Sequence, residues 1–218
     1  TGSLFEIDDT GLTIVSVDGY RLALRHEVID SKEGASSFSF VVPGAALSEV
    51  EKICSDVDDT LTVTQGARHI MFKIGTTMLV SRRLEGEFLA YRQAIPRNNT
   101  IKVEGDTRTL LSSIDRVSLI ISDKLKSPLR CVFGDQVLRI STKTAIGDAN
   151  DQCGIDGDGG GLEIGFNNRY LMDALKAAPA DRVRLELTTG VSPCVILPAE
   201  GVENFLYMVL PVRLKAGE

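Results

Sequence analysis

The chain has little of what catalysis needs. His26 and His69 are its only histidines, and neither stands in an HExxH pattern or a serine- or cysteine-nucleophile signature. No GxxxxGK[ST] phosphate loop is present, and the glycines do not take dinucleotide-fingerprint spacing between a strand and a helix. Cys54, Cys131, Cys153 and Cys194 are far apart, without the close pairing of zinc sites and redox motifs, so reduced structural thiols are expected. Asp156-Gly157-Asp158-Gly159-Gly160-Gly161 is a poor calcium loop, because its fifth position is Gly160 and its twelfth is Asn167, where a bidentate Glu belongs. The expectation is a non-enzyme with no metal and no cofactor.

No run of about eighteen apolar residues could span a bilayer, and no basic start with an apolar stretch and small-residue cleavage site marks secretion. The reading is cytoplasmic, with no membrane partner. Twenty-four basic against thirty acidic residues give a net charge of −6, which excludes a broad basic surface for nucleic acid but leaves room for a local basic stripe.

Two hundred and eighteen residues allow one large or two modest domains. Thr1 to Ile7 enter a strand pattern at once, as if the chain began inside a domain. Leu12–Val17 and Tyr20–Leu24 flank Asp18-Gly19, a strong hairpin signal. Phe38–Val42 is a short strand, and Pro43 suits the first position of a helix running from Gly44 to about Ser55. Its apolar positions are Ala46, Leu47, Val50, Ile53 and Cys54. Strands follow at Thr60–Thr64, His69–Ile74 and Thr77–Arg83. Arg97-Asn98-Asn99 is the expected hinge, dividing the chain into residues 1–96 and 97–218.

The second block opens with Thr100–Val103. Asp106 or Thr107 can cap a helix reaching about Ser122, with Leu110, Ile114, Val117 and Ile121 inward and Arg108, Ser112 and Arg116 outward. Cys131–Phe133 and Val137–Thr142 read as a hairpin around Gly134-Asp135. Gly147–Gly161, rich in Gly and Asp, reads as a mobile loop. Leu162–Phe166 resumes the sheet, a helix spans about Asn168–Ala178, and strands follow at Arg182–Thr188 and Pro193–Leu197. The apolar run Phe205–Leu214 closes the chain, and its Pro211 marks where ladder pairing stops.

The halves repeat. Phe40-Val41-Val42-Pro43 aligns with Ile164-Gly165-Phe166-Asn167, each before a helix, and Asp59–Val63 aligns with Asp181–Leu185. Ala94-Ile95-Pro96 and Val209-Leu210-Pro211 are read as matching closing strands. In an acidic chain, the cations Lys52, Arg108, Arg116, Lys124, Lys126, Arg169 and Lys176 fall on or beside helices, where they could face duplex phosphates without reading bases.

At Ser16-Val17-Asp18-Gly19-Tyr20-Arg21-Leu22-Ala23 and at Tyr207–Leu214 the sequence resembles the bacterial DNA polymerase III β subunit, the sliding clamp. Gly86–Pro96 is similar to that family's Gly-x-Phe-Pro-x-Tyr segment, and Ile164-Gly165-Phe166-Asn167 to its Ile-Gly-Phe-Asn. The resemblance implies an α+β fold of repeated clamp-type domains, with antiparallel sheets outside and helices on the inner, pore face. This chain would hold most of the middle domain and all of the third. The whole protein would be a ring-shaped homodimer encircling duplex DNA without sequence preference, in the cytoplasm at the nucleoid. This piece alone would not close a ring, because the subunit contact joins the third domain to a first one.

The resemblance also implies a groove for short Gln- and Leu-Phe-containing peptides of the DNA polymerase III α subunit, the clamp loader δ subunit, other polymerases and repair proteins. Val17, Gly19, Tyr20, Arg21, Leu22, Leu89, Gln93 and Ala94 would form one wall. Asn167, Tyr170, Val191, Pro193, Met208, Val209, Leu210, Pro211, Val212 and Arg213 would form the other. Leu22, Ala94, Met208 and Leu210 would offer the apolar pocket. Tyr20 stands where His is usual, Leu89 where Pro is, and Gln93 where Arg is, and Lys215–Glu218 extends past the usual end. The competing reading is a β-rich peptide-binding scaffold that never encircles DNA.

Overall fold

The computed structural model describes residues 2–29, 37–122, 124 and 127–214. They form two compact units: Thr1–Asp18 with Leu24–Tyr91, and Gly19–Ala23 with Arg92–Glu218. The segment 19–23 thus leaves the unit that surrounds it in sequence and belongs with the second.

In the first unit, β1 (Gly2–Asp8) lies between β2 (Gly11–Val17) and β4 (Phe38–Pro43), both antiparallel to it. β3 (Arg21–Glu27) follows β2 across the Asp18-Gly19 turn, where Gly19 takes φ 89°, a conformation that costs glycine nothing. Alternation sends Phe5, Phe40 and Val42 inward; Phe5 faces Phe40 across the ladder and their rings stack 5.3 Å apart. Helix α1 (Gly44–Cys54) adds buried Val50 and half-buried Ala46, Leu47 and Cys54 to this core. Pro43 is the residue before the helix rather than its first residue. It is still extended, ψ 139°, because it ends the β4 ladder opposite Gly2. A second sheet, β5 (Thr62–Gln65), β6 (His69–Ile74) and β7 (Thr77–Arg82), closes the unit with Ile70 and Phe72.

In the second unit, β8 (Ile101–Asp106) leads into α3 (Thr107–Ser118), whose Leu110, Ile114 and Val117 are buried. Asp106 caps it: its carboxylate accepts the Thr109 amide at 2.7 Å and the Thr109 hydroxyl at 2.6 Å. The helix stops at Ser118, short of the expected Ser122, where the Ser118 hydroxyl bonds back to the Ile114 carbonyl at 2.7 Å and Ile121 turns tightly onto the Ser118 carbonyl.

The Thr109 hydroxyl and amide hold the Asp106 carboxyl below its ordinary value. A depressed carboxylate contributes stability above its unfolded pKa and loses it as pH falls through the folded one. Asp106→Ala should therefore cost about 1 kcal/mol near neutrality, as N-cap losses do. The deficit should shrink in acid, which urea titrations at two pH values would show.

Two expectations fail in the next ribbon. Leu129–Thr144 is one strand, β9, with no hairpin at Gly134-Asp135; the two-residue turn is Ala145-Ile146. Gly147–Phe166 is its partner, β10, not a mobile loop. Register shifts between Gly154 and Asp158 and between Asp158 and Leu162 take up extra residues as bulges, with Gly157, Gly160 and Gly161 at positive φ. Buried Cys153 and Ile155 alternate with exposed neighbours, the strand signature beneath the Gly/Asp composition.

α4 (Asn168–Ala177) follows, capped by Asn167, and lies against α3. β11 (Arg182–Leu187) sits between β8 and β12 (Cys194–Pro198), and β13 (Phe205–Val209) pairs with β12. Only residues 205–209 of the closing run are strand. The Tyr207 hydroxyl donates to the Ala177 carbonyl at 3.0 Å, tying β13 to the end of α4.

The repeat survives with one amendment. Residues 91–94 are the short helix α2 (Tyr91–Ala94), so Ala94-Ile95-Pro96 is not a closing strand. The aligned positions Val41 and Gly165 instead form isolated bridges with Leu84 and Val212, making Leu84 the counterpart of Val212. All four cysteines are free. Burial pushes the Cys131 thiol up to about 12 and raises Cys194 and Cys153, keeping them protonated. Among the described residues no helix is long and apolar enough to cross a membrane, and no group of three or more His, Cys, Asp or Glu is placed to hold a metal ion.

Candidate functional site

The segment 19–23 reaches the second unit through its backbone. The Leu210 amide donates to the Tyr20 carbonyl at 2.9 Å just past the end of β13, and Pro211, next in the chain, has no amide to donate. Two residues on, the Val212 amide donates to the Gly165 carbonyl at 2.8 Å. Residues 207–212 thus run from the β12 ladder to the end of β10.

On α4, Asn167 accepts the Arg169 amide at 3.0 Å and the Tyr170 amide at 3.3 Å, starting the helix so that Tyr170 meets the 19–23 segment. The Tyr20 and Tyr170 rings stack at 6.0 Å and 27°. The Arg21 guanidinium lies 4.4 Å from the Tyr170 ring centre and is bonded at 2.6 Å to Asp173, one helical turn further along α4. Sequence reading did not include Asp173. Its signal was present as a carboxylate three residues beyond Tyr170, on the same helix face.

The remaining groove residues divide by exposure. Tyr20 is 61% exposed, Arg21, Asn167, Tyr170, Leu210 and Pro211 are half-buried, and Val212 and Arg213 are exposed. Leu22, Met208 and Val209 are buried at 2%, 6% and 1%. Gln93, Ala94 and Val191 are exposed and Pro193 half-buried. Val17, half-buried, and Leu89, exposed, belong to the first unit.

The basic residues are unevenly committed. Arg116 pairs with Asp151 at 2.6 Å, with Ser113 completing the cluster, and that bond is the main reason the Asp151 carboxyl is held below its ordinary value. Lys52 pairs with Glu49 at 2.7 Å on α1. Arg108, Lys124, Arg169 and Lys176 are exposed, and for Arg108, Lys124 and Lys176 no ion pair is found among the described residues. Lys126 lies outside the described residues. Asn99, in the expected hinge, bonds to Thr188 at 3.0 Å and to Glu186 at 3.4 Å.

Each unit contains a strand running into a helix and then three consecutive antiparallel strands, β4, α1 and β5–β7 in the first and β10, α4 and β11–β13 in the second. It is the plan of a DNA sliding clamp: the chain superimposes on the sliding clamp of Bacillus subtilis with a TM-score of 0.91 at 26% identity, over 99% of this chain and 57% of that one. A DNA polymerase III beta subunit structure from Eubacterium rectale ATCC 33656 gives a TM-score of 0.90 at 34% identity, over 97% and 57%. The beta sliding clamp of Staphylococcus aureus (strain Mu50 / ATCC 700699) is 31% identical over 215 residues, 98% of this chain and 56% of the relative. The sequence model of the DNA polymerase III beta subunit central domain matches residues 1–89, and that of its C-terminal domain matches 92–213. The chain belongs to the DNA polymerase III beta subunit family. It spans little more than half the length of the relatives it matches.

Proposed function

We propose that this chain is part of a replication processivity clamp, comprising most of a middle domain (1–96) and a third domain (97–218), and that it docks partner peptides on the surface headed by Tyr20, Tyr170 and Leu210. The observation that carries the reading is the departure of residues 19–23 into the second unit, where Tyr20 and Arg21 complete a surface with α4 and the chain end. Half-buried Leu210 and the exposed face of Tyr20 supply apolar contact for a Leu-Phe anchor. Exposed Val212 and Arg213 continue it along an extended chain, the shape that short peptide motifs use. The partners are the peptides of the DNA polymerase III α subunit, the clamp loader δ subunit, other polymerases and repair proteins.

The protein is not an enzyme on this reading. It works in the cytoplasm at the nucleoid, as a ring-shaped homodimer around duplex DNA when the whole chain is present, and this piece alone does not close the ring. The charge distribution suits that role. A ring held by topology needs no tight phosphate grip, and each strong contact would slow sliding and add salt dependence. A few exposed cations, Arg108, Lys124, Arg169 and Lys176, in a protein of net charge −6 are in keeping with a weak inner stripe.

The test restores the N-terminal part and loads the protein on nicked circular or linear DNA. Retention on the circle is expected to outlast that on the linear form by at least about tenfold at a salt concentration that screens phosphate contacts. Equal loss from both would leave the peptide-binding scaffold that never encircles DNA.

A further inference from the structure

The small sheet of the first unit has an exposed face of unusual composition. In β6, buried Ile70, Phe72 and Ile74 alternate with His69, Met71 and Lys73, so the latter three share the opposite face. The register sets Met71 opposite Val80, Lys73 opposite Met78 and His69 opposite Arg82. Val80 is 58% exposed and Met78 55%, with Met71 half-buried beside them. Single apolar side chains on a surface need no explanation, but three that adjoin across two strands form a patch.

The charge around the patch has one sign. β5, β6 and β7 contain no Asp or Glu, in a chain with thirty acidic residues. Lys73 and Arg82 stand exposed toward opposite ends of the patch, and among the described residues neither they nor His69 take part in an ion pair. The Asp59 carboxylate stands 3.8 Å from a Cβ built on Gly75, at the β6–β7 turn, and does not pair with Lys73. Four residues of strand separate the Met78 row from the Arg82 row, about 13 Å, and an extended peptide repeats that distance between its first and fifth residues. Carboxylates at those two positions and an apolar third residue would meet Lys73, Arg82 and the patch together. Duplex phosphates could use the cations but would gain nothing from Met71, Met78 and Val80, whereas methionines adapt readily to a peptide side chain.

We infer that the exposed face of β6 and β7 is a docking surface for an extended acidic segment of a partner protein, one with an apolar residue midway between two carboxylates. The inference is independent of the surface headed by Tyr20, Tyr170 and Leu210. Its ion pairs are solvent-exposed, so each contributes a few-fold to affinity and is weakened by salt.

The experiment titrates the chain as it stands with capped synthetic peptides at low salt and follows the backbone amide signals of residues 69–82. Asp-Thr-Leu-Thr-Asp should shift them with a dissociation constant of about 0.1–1 mM. Asn-Thr-Leu-Thr-Asn and Asp-Thr-Ser-Thr-Asp should each bind at least about fivefold more weakly. Val80→Thr should weaken the acidic peptide about threefold. Lys73→Glu combined with Arg82→Glu should weaken it at least about tenfold and make Lys-Thr-Leu-Thr-Lys the preferred ligand. Leu210→Asp should leave the titration unchanged.

Absence of any shift in the folded chain overturns the inference, and so does equal binding of the acidic and neutral peptides. Binding lost in Leu210→Asp but kept in the double charge reversal would place the peptide on the other surface and overturn it as well. A short DNA duplex or phosphatidylserine vesicles that shift the same amides at lower concentration than the peptide, and fail to do so in the charge reversal, would make the face a phosphate-binding one instead. Far-ultraviolet circular dichroism of each variant separates a lost fold from lost binding.

Discussion

Leu210→Asp should abolish binding of a Gln- and Leu-Phe-containing peptide while leaving the second unit folded. The wild-type dissociation constant is expected in the micromolar range, about −8 kcal/mol. Leu210 is half-buried, and its structural role is carried by its backbone, since the amide that bonds the Tyr20 carbonyl at 2.9 Å remains after the substitution. A carboxylate there stays hydrated in the free protein and costs little. Covered by an apolar peptide anchor it must lose water without a partner, at a cost of several kcal/mol, so binding should weaken by more than about a hundredfold. Isothermal titration with such a peptide reads the loss, and the thermal midpoint should move by only a few degrees. An unchanged titration would remove Leu210 from the docking surface and with it the proposed location of the site. A collapse of the midpoint would show that Leu210 is a core residue.

What could be read in advance follows from the physics of each signal. The α3 and α4 helices were legible because their buried positions keep helical spacing and their caps, Asp106 and Asn167, are short oxygen-bearing side chains placed ahead of them. The second half of the sheet was legible because Val183, Leu185 and Leu187 alternate strictly. The β9–β10 ribbon was not legible. Its glycines serve as bulge residues, and Gly159 is buried against Phe133, where an added Cβ would stand 2.3 Å from the Phe133 Cβ. Composition cannot separate such a strand from a loop, since the information lies in the partner strand.

The docking surface divides in the same way. Tyr20 and Leu210 lie in the short motifs that carry the resemblance and Tyr170 was carried over by position just after Ile164–Asn167; Tyr20 meets Tyr170 by ring contact and Leu210 by a backbone hydrogen bond. Leu22 and Met208 lie in the same motifs and are buried. Asp173 was missed because its partner Arg21 is remote in sequence, and only the folded chain brings a strand end onto that helix turn.

Gly165→Val should uncouple the chain end from β10 and, through it, the docking surface. Gly165 is buried in a ladder with β9, opposite Arg130, and on its other side it accepts the Val212 amide. A Cβ built there would stand 2.4 Å from the Val212 carbonyl oxygen and 2.8 Å from a Leu214 methyl carbon. The first of these is backbone, so relief requires moving residues 212–214 as a unit. Residues 205–207 lie upstream in the chain, and Tyr207 keeps both its place opposite Ile196 and its bond to Ala177. Stability should therefore fall by about 1–3 kcal/mol, the usual cost of overpacking. Peptide affinity should fall by at least about tenfold, because Val212 and Arg213 leave the surface and the anchor Leu210 loses its downstream support; tenfold corresponds to about 1.4 kcal/mol. Gly154→Val is the control: that glycine is exposed, takes no positive φ and has nothing within 4 Å of a built Cβ, so a change within about 0.5 kcal/mol is expected. Amide exchange of Val212, measured beside the titration, identifies the cause. Faster exchange with weaker binding supports positioning by Gly165. Weaker binding with unchanged Val212 exchange would mean that β10 itself had shifted, and unchanged binding would show that the peptide does not use the chain beyond Pro211.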